Sequence, residues 1–202
     1  MRTAQYPEPM SHAIARAVSI FGHPMLVLPL AAVVLLLLRG QQQTALWITL
    51  CFAVFAGVVM AWSTWQVRRG HWAHVDASGK HERSSLNRFL LVMLGLSALG
   101  AVLLQAKEPA IALALCAAMV AMAMATARWC KLSLHMAFVV FATVLLGNAH
   151  WWLGLPSLLF AGAVAWSRLR LQRHVPRDLV AGALTGALAG IACVAPLVAG
   201  AS

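Results

Sequence analysis

The chain has 202 residues, 62% of them hydrophobic and 10% charged, with a formal net charge of +10. A mean hydropathy of +0.82, carried by repeated long apolar runs, excludes a soluble globular domain and describes an integral membrane protein. The runs do not alternate polar and apolar residues, which excludes an outer-membrane barrel, and the basic residues flank them, which assigns the charge to anionic headgroups and not to nucleic acid.

No linker of any length interrupts the runs, so 1–202 is read as one domain, an all-α polytopic membrane bundle with about six to seven transmembrane segments. Arg2 and Arg16 precede a first run over about 17–38. It is long enough to span and lacks a small-x-small cleavage site before Arg39, so it is expected to be retained as a helix. Further runs fall at about 45–67, 88–105, 109–128, 132–148, 150–166 and 179–200. The fifth and sixth are short and meet at Asn148 and His150, which predicts a hairpin turn at the interface. Seven of the tryptophans, among them Trp47, Trp129, Trp151 and Trp166, stand near segment ends, where indoles prefer the headgroup region.

Seven crossings would put all of the 15 Lys and Arg on one side except Arg39 and Lys107. The positive-inside bias makes that side cytoplasmic. In the last run, Gly182, Gly186 and Gly190 form a small-residue stripe that suits close helix packing, with a homodimer face as the alternative. Cys51, Cys116, Cys130 and Cys193 form no zinc or redox spacing.

Three polar clusters share the basic side: 71–88, 128–135 and 167–178. The last is Ser167-Arg-Leu-Arg-Leu-Gln-Arg-His174-Val-Pro-Arg-Asp178. An Arg or Asp at the bilayer centre costs about 2.5–3.5 kcal/mol, so its five ionised residues would cost more than about 12 kcal/mol there. They belong at a membrane surface or in a polar cavity. His174 and Asp178 are four apart, so on a helix the carboxylate can orient the imidazole. Pro176 suits the first turn of a helix whose N-terminus, beside several guanidinium groups, can receive an anion. Ser133 and His135 stand at another helix start, and Lys80 and Arg83 add cations.

Ser167-Arg168-x5-His174-x3-Asp178 resembles the third signature of the type 2 phosphatidic acid phosphatase superfamily, S-R-x5-H-x3-D, which includes membrane lipid phosphatases and the soluble vanadium haloperoxidases. Leu132-Ser133-Leu134-His135 is similar to its second signature, P-S-G-H, with Leu in place of Pro and Gly. The first, K-x6-R-P, has a looser counterpart in Lys80, Arg83 and Arg88. The resemblance implies a lipid phosphatase acting on a phosphate ester or diphosphate of a lipid (phosphatidic acid, phosphatidylglycerol phosphate or polyprenyl phosphate type). It implies His174 as nucleophile, Asp178 as its orienting partner and His135 as proton donor to the leaving oxygen. Arg168, Ser133, Lys80, Arg83 and Arg88 would bind phosphate, and no metal or cofactor is implied. The alternatives are a non-enzymatic bundle, such as a small transporter or scaffold that binds anionic lipid, and a lipid phosphotransferase.

His71-x2-His74-x-Asp76 has metal-ligand residue types but no second carboxylate cluster, and is read as an interfacial loop. His12, His23 and His150 are read as interfacial polar residues, and Met119, Met122 and Met124 as core.

Overall fold

A computed structural model describes residues 10–74 and 79–199; Asp76 and Arg2 lie outside the described residues. The described residues form an all-α bundle: α1 (Met10–Phe21), α2 (Pro24–Leu38), α3 (Gln42–Arg68), α4 (Lys80–Leu103), α5 (Lys107–Ala125), α6 (Leu134–Ala149), α7 (Trp151–Arg170) and α8 (Pro176–Ala199). A short 3-10 turn, Thr126–Arg128, follows α5.

Four helices end on a residue in the left-handed conformation. Gly40 (φ 72°) and Gly70 (φ 74°) take the left-handed conformation that stops α2 and α3. Gln105 (φ 59°) and Gln172 (φ 53°) do the same after α4 and α7 without glycine's freedom, at a cost of about 1–2 kcal/mol each. At α4, Glu82 reaches back to the Gly79 amide at 2.8 Å and accepts from the Ala73 amide at 2.7 Å, fastening the preceding loop to the helix start.

Among the described residues four helices, α3, α4, α5 (with the turn after it) and α8, are long and apolar enough to cross a membrane, five spans if the α1–α2 pair counts as one. This corrects the expected six to seven. The first run is not one straight helix, because Gly22-His23-Pro24 breaks it and bends α2 from α1 by 57°. Pro24 opens α2 where its missing N–H costs nothing, and His23 caps it. The run 132–148 becomes α6, whose 16 residues reach about 24 Å.

Burial explains why so short a helix is so apolar. Ala137, Phe138, Val139, Phe141 and Ala142 of α6 are all buried. One core cluster joins Phe138 and Phe141 to Met119 and Val120 of α5 and Ala189 of α8, and a second joins Val139 to Val164 of α7 and Leu179 of α8. A helix that is apolar all round belongs in the middle of a bundle as well as in lipid. The expected turn between α6 and α7 is a single residue, His150, where Gly147 and Gly154 let the two backbones approach.

The glycine stripe of α8 is spent on the same helix. A Cβ at Gly182 would collide with the Ser133 carbonyl, one at Gly186 with that of Ala137, and one at Gly190 with the Val144 side chain. Covered by α6 of its own chain, the stripe is not a free homodimer face. The opposite face of α8 exposes Val180, Leu184, Leu188 and Ile191, as a lipid-facing surface would.

Candidate functional site

The starts of α6 and α8 and the end of α7 meet at one end of the bundle, held by a carboxylate. Asp178 is 4% exposed and sits in the first turn of α8. Its Oδ1 accepts from the Lys131 amide at 3.2 Å and the Cys130 thiol at 3.4 Å. Its Oδ2 accepts from the Val175 amide at 3.4 Å, so the side chain caps its own helix. The Asp178 carbonyl accepts from the Ser133 amide at 3.1 Å. One residue thus ties 130–133 to the N-terminus of α8.

His174 stands inside this frame. Its Nδ1 lies 3.1 Å from the Lys131 carbonyl and 3.5 Å from Asp178 Oδ2. A carbonyl can only accept, so Nδ1 carries the proton and Nε2 keeps its lone pair. The turn that delivers this ring depends on Gln172, after which the Arg173 amide returns to the Arg168 carbonyl at 3.0 Å. Lys131 Nζ then donates to the Arg173 carbonyl at 2.8 Å, closing the loop over the site. An open cavity of about 350 Å³ is lined by Lys131, Leu169, Gln172, Arg173, His174, Val175 and Asp178.

Burial, then Arg168 and Lys131, push the His174 imidazole down to about 4 from its ordinary 6.5, against a smaller opposing pull from Asp178. The ring is therefore neutral at pH 7. An NMR titration of its ring nitrogens is expected to show a midpoint near 4, and a midpoint near 6.5 would refute this environment. Because the folded value lies below the unfolded one, the unfolded chain takes up this proton first as pH falls. The stabilising contribution is present above 6.5 and is lost as pH drops towards 4.

Arg168 Nη1 donates to Ser19 Oγ of α1 at 2.8 Å, while its Nε is buried with no hydrogen-bond partner. A buried, unmatched guanidinium N–H costs about 1–3 kcal/mol or more until an acceptor arrives. His135, in the first turn of α6, is half-buried and within electrostatic reach of Arg168, His23 and His174. The structure therefore brings His174, Asp178, His135 and Arg168 together.

The remaining expected residues separate. Ser133 is 0% exposed, and its Oγ caps α6 by accepting the Met136 amide at 3.4 Å. That position is at odds with direct phosphate contact. Arg83 is half-buried and close enough to help hold the Lys131 ammonium below its usual range, after burial and together with Arg168. Lys80 is exposed at the first residue of α4. Arg88 is exposed and turned back to the Ser84 carbonyl of its own helix at 3.4 Å. At the other end of the bundle Arg39 pairs with Glu108 at 2.9 Å.

Three contributors were not among the expected site residues: Lys131, through its carbonyl and its ammonium, and Ser19 and His23, from the α1–α2 corner. Lys131 has a sequence signal, a cation two residues before Ser133; the other two lie far from the cluster in sequence. Among the described residues no group of three or more His, Cys, Asp or Glu could hold a metal ion. Comparison with protein-family models, curated proteins and solved structures finds no match. Fold and site together define a helical membrane protein with a histidine, arginine and aspartate constellation at one end of its bundle.

Proposed function

We propose that the protein is a membrane-embedded lipid phosphatase that works through a phosphohistidine, as its likeness to the type 2 phosphatidic acid phosphatase superfamily implies. The observation that carries this reading is the His174 ring: Nδ1 occupied by the Lys131 carbonyl, Nε2 left as a neutral nucleophile, beside an Arg168 Nε that lacks an acceptor. Phosphoryl transfer needs little beyond an aligned nucleophile and cations around the equatorial oxygens.

In this mechanism His174 Nε2 attacks phosphorus as the bond to the leaving oxygen breaks, and His135 gives that oxygen its proton. Water then attacks the phosphohistidine, His135 takes the proton of that water, and the N–P bond breaks to release phosphate. Arg168 Nε supplies one phosphate donor, with Arg83 and Lys131 adding charge. Ser133 acts as the cap of α6, and Lys80 and Arg88 stay peripheral. By the positive-inside bias the reading assigns the basic end of the bundle to the cytoplasmic side of a cell membrane, so that a headgroup would enter from that interface while its tails stay in the bilayer.

The test is phosphate release by the purified protein from a panel of lipid phosphates and diphosphates, with and without chelator. Release that is indifferent to chelator supports the reading. No release from any member refutes it in favour of a lipid-binding bundle, and transfer to an added alcohol in place of water identifies a phosphotransferase.

A further inference from the structure

The corner between α1 and α2 reaches the site from more than a hundred residues away in sequence. Ser19, in the last turn of α1, fixes the Arg168 guanidinium at 2.8 Å. Four residues later His23 turns its ring onto His135, the two centroids 5.1 Å apart and the planes at 89°. His23 does this while capping α2, because its Nδ1 accepts the Met25 amide at 3.2 Å. The cap and the bend at Pro24 fix where the ring stands, and the ring in turn packs against His135.

We propose that His23 is a positioning residue for His135: its ring, edge to face, holds the His135 imidazole in the orientation from which it protonates the leaving oxygen. The inference rests on the phosphatase reading and adds to it a residue outside the three clusters on which the likeness depends. An aromatic edge-to-face contact has a preferred geometry, so it restricts the rotation of a ring that is otherwise only half-buried. His23 forms no bond to substrate in this scheme. It acts where His135 moves a proton: to the leaving oxygen in the first step, and from the attacking water in the second step, which all substrates share.

That limit makes the role separable from folding. His23→Asn keeps a side-chain acceptor for the cap and removes the ring; His23→Phe keeps a ring and removes the acceptor. The substrates are a lipid phosphate, whose alcohol leaves only when protonated, and p-nitrophenyl phosphate, whose phenolate leaves unaided. General acid catalysis is worth about 10²- to 10⁴-fold, so a mispositioned acid should cost His23→Asn about 10-fold or more in the single-turnover rate of alcohol release from the lipid, with the burst rate of p-nitrophenolate release within about twofold. His23→Phe should keep the wild-type ratio of the two rates while melting at a lower temperature. Equal rates for His23→Asn and wild type, an equal loss on both substrates, or the same selective loss in His23→Phe would each overturn the proposal. A wild-type protein inert on both substrates overturns the phosphatase reading itself, and this role with it. A wild type active on both, with His174→Ala inactive, leaves the His23 variants to decide this role alone.

Discussion

His174→Ala is expected to abolish lipid phosphate hydrolysis, with a fall in kcat of at least about 10⁴-fold, because the atom that forms the covalent bond is gone. The frame around it should survive. Asp178 would keep the Lys131 and Val175 amides and the Cys130 thiol, none of which depends on the imidazole. Melting temperature should therefore change little, and loss of activity with an intact fold is the informative result. A second measurement makes the test stricter: acid-labile, base-stable phosphate should be trapped on the wild-type protein during turnover and be missing from the variant. Full turnover by His174→Ala would sink the mechanism, and an active wild-type protein that traps no phosphate would assign the chemistry to direct attack by water. Replacement by Asn is a weaker substitute, since its amide could restore the hydrogen bond to the Lys131 carbonyl without restoring a nucleophile.

The helices were legible because hydropathy reads them directly, yet hydropathy says nothing about what covers an apolar run. α6 reads as a span from its composition, and it is apolar because six of its own side chains are buried at the centre of the bundle. The bend at residues 22–24 was written in the chain as Gly-x-Pro, but an averaged run of apolar residues conceals a turn that short. At the site, His174 and Asp178 were legible because helical spacing relates them. The carbonyl of Lys131 was not, since every residue carries a carbonyl and none advertises which donor it will meet. Ser19 and His23 were hidden by distance: Ser19 and Arg168 are 149 residues apart, and only the packing of α1 along α7 joins them. Ser133 has a local role that its motif position conceals. A serine at a helix start is first of all a cap, and its fully covered hydroxyl does that work.

Asp178→Asn should lose both activity and stability, and the balance between them follows from two distances. The proton on His174 Nδ1 lies nearer the Lys131 carbonyl, at 3.1 Å, than Asp178 Oδ2, at 3.5 Å. The carbonyl survives the substitution, so the tautomer should survive too. In catalytic triads a single carboxylate holds the imidazole, and Asn there costs about 10⁴ in kcat; here the loss should stop at about 10- to 10²-fold. Stability responds differently. The carboxylate is 4% exposed and meets donors at both oxygens: the Lys131 amide and Cys130 thiol at one, the Val175 amide and His174 at the other. Asn presents an NH₂ group to one of those pairs, leaving buried donors facing each other at a cost of about 1–3 kcal/mol per unmatched group. A thermal melt in detergent should show this as a clear drop, larger than that of His174→Ala. An unchanged melt with a 10⁴-fold loss of rate would mean that Asp178 serves the imidazole alone and that the Lys131 carbonyl does not hold the ring. The expected pattern, a modest loss of rate with a marked loss of stability, makes the carboxylate first the clamp that joins α6 to α8 and only second the partner of the nucleophile.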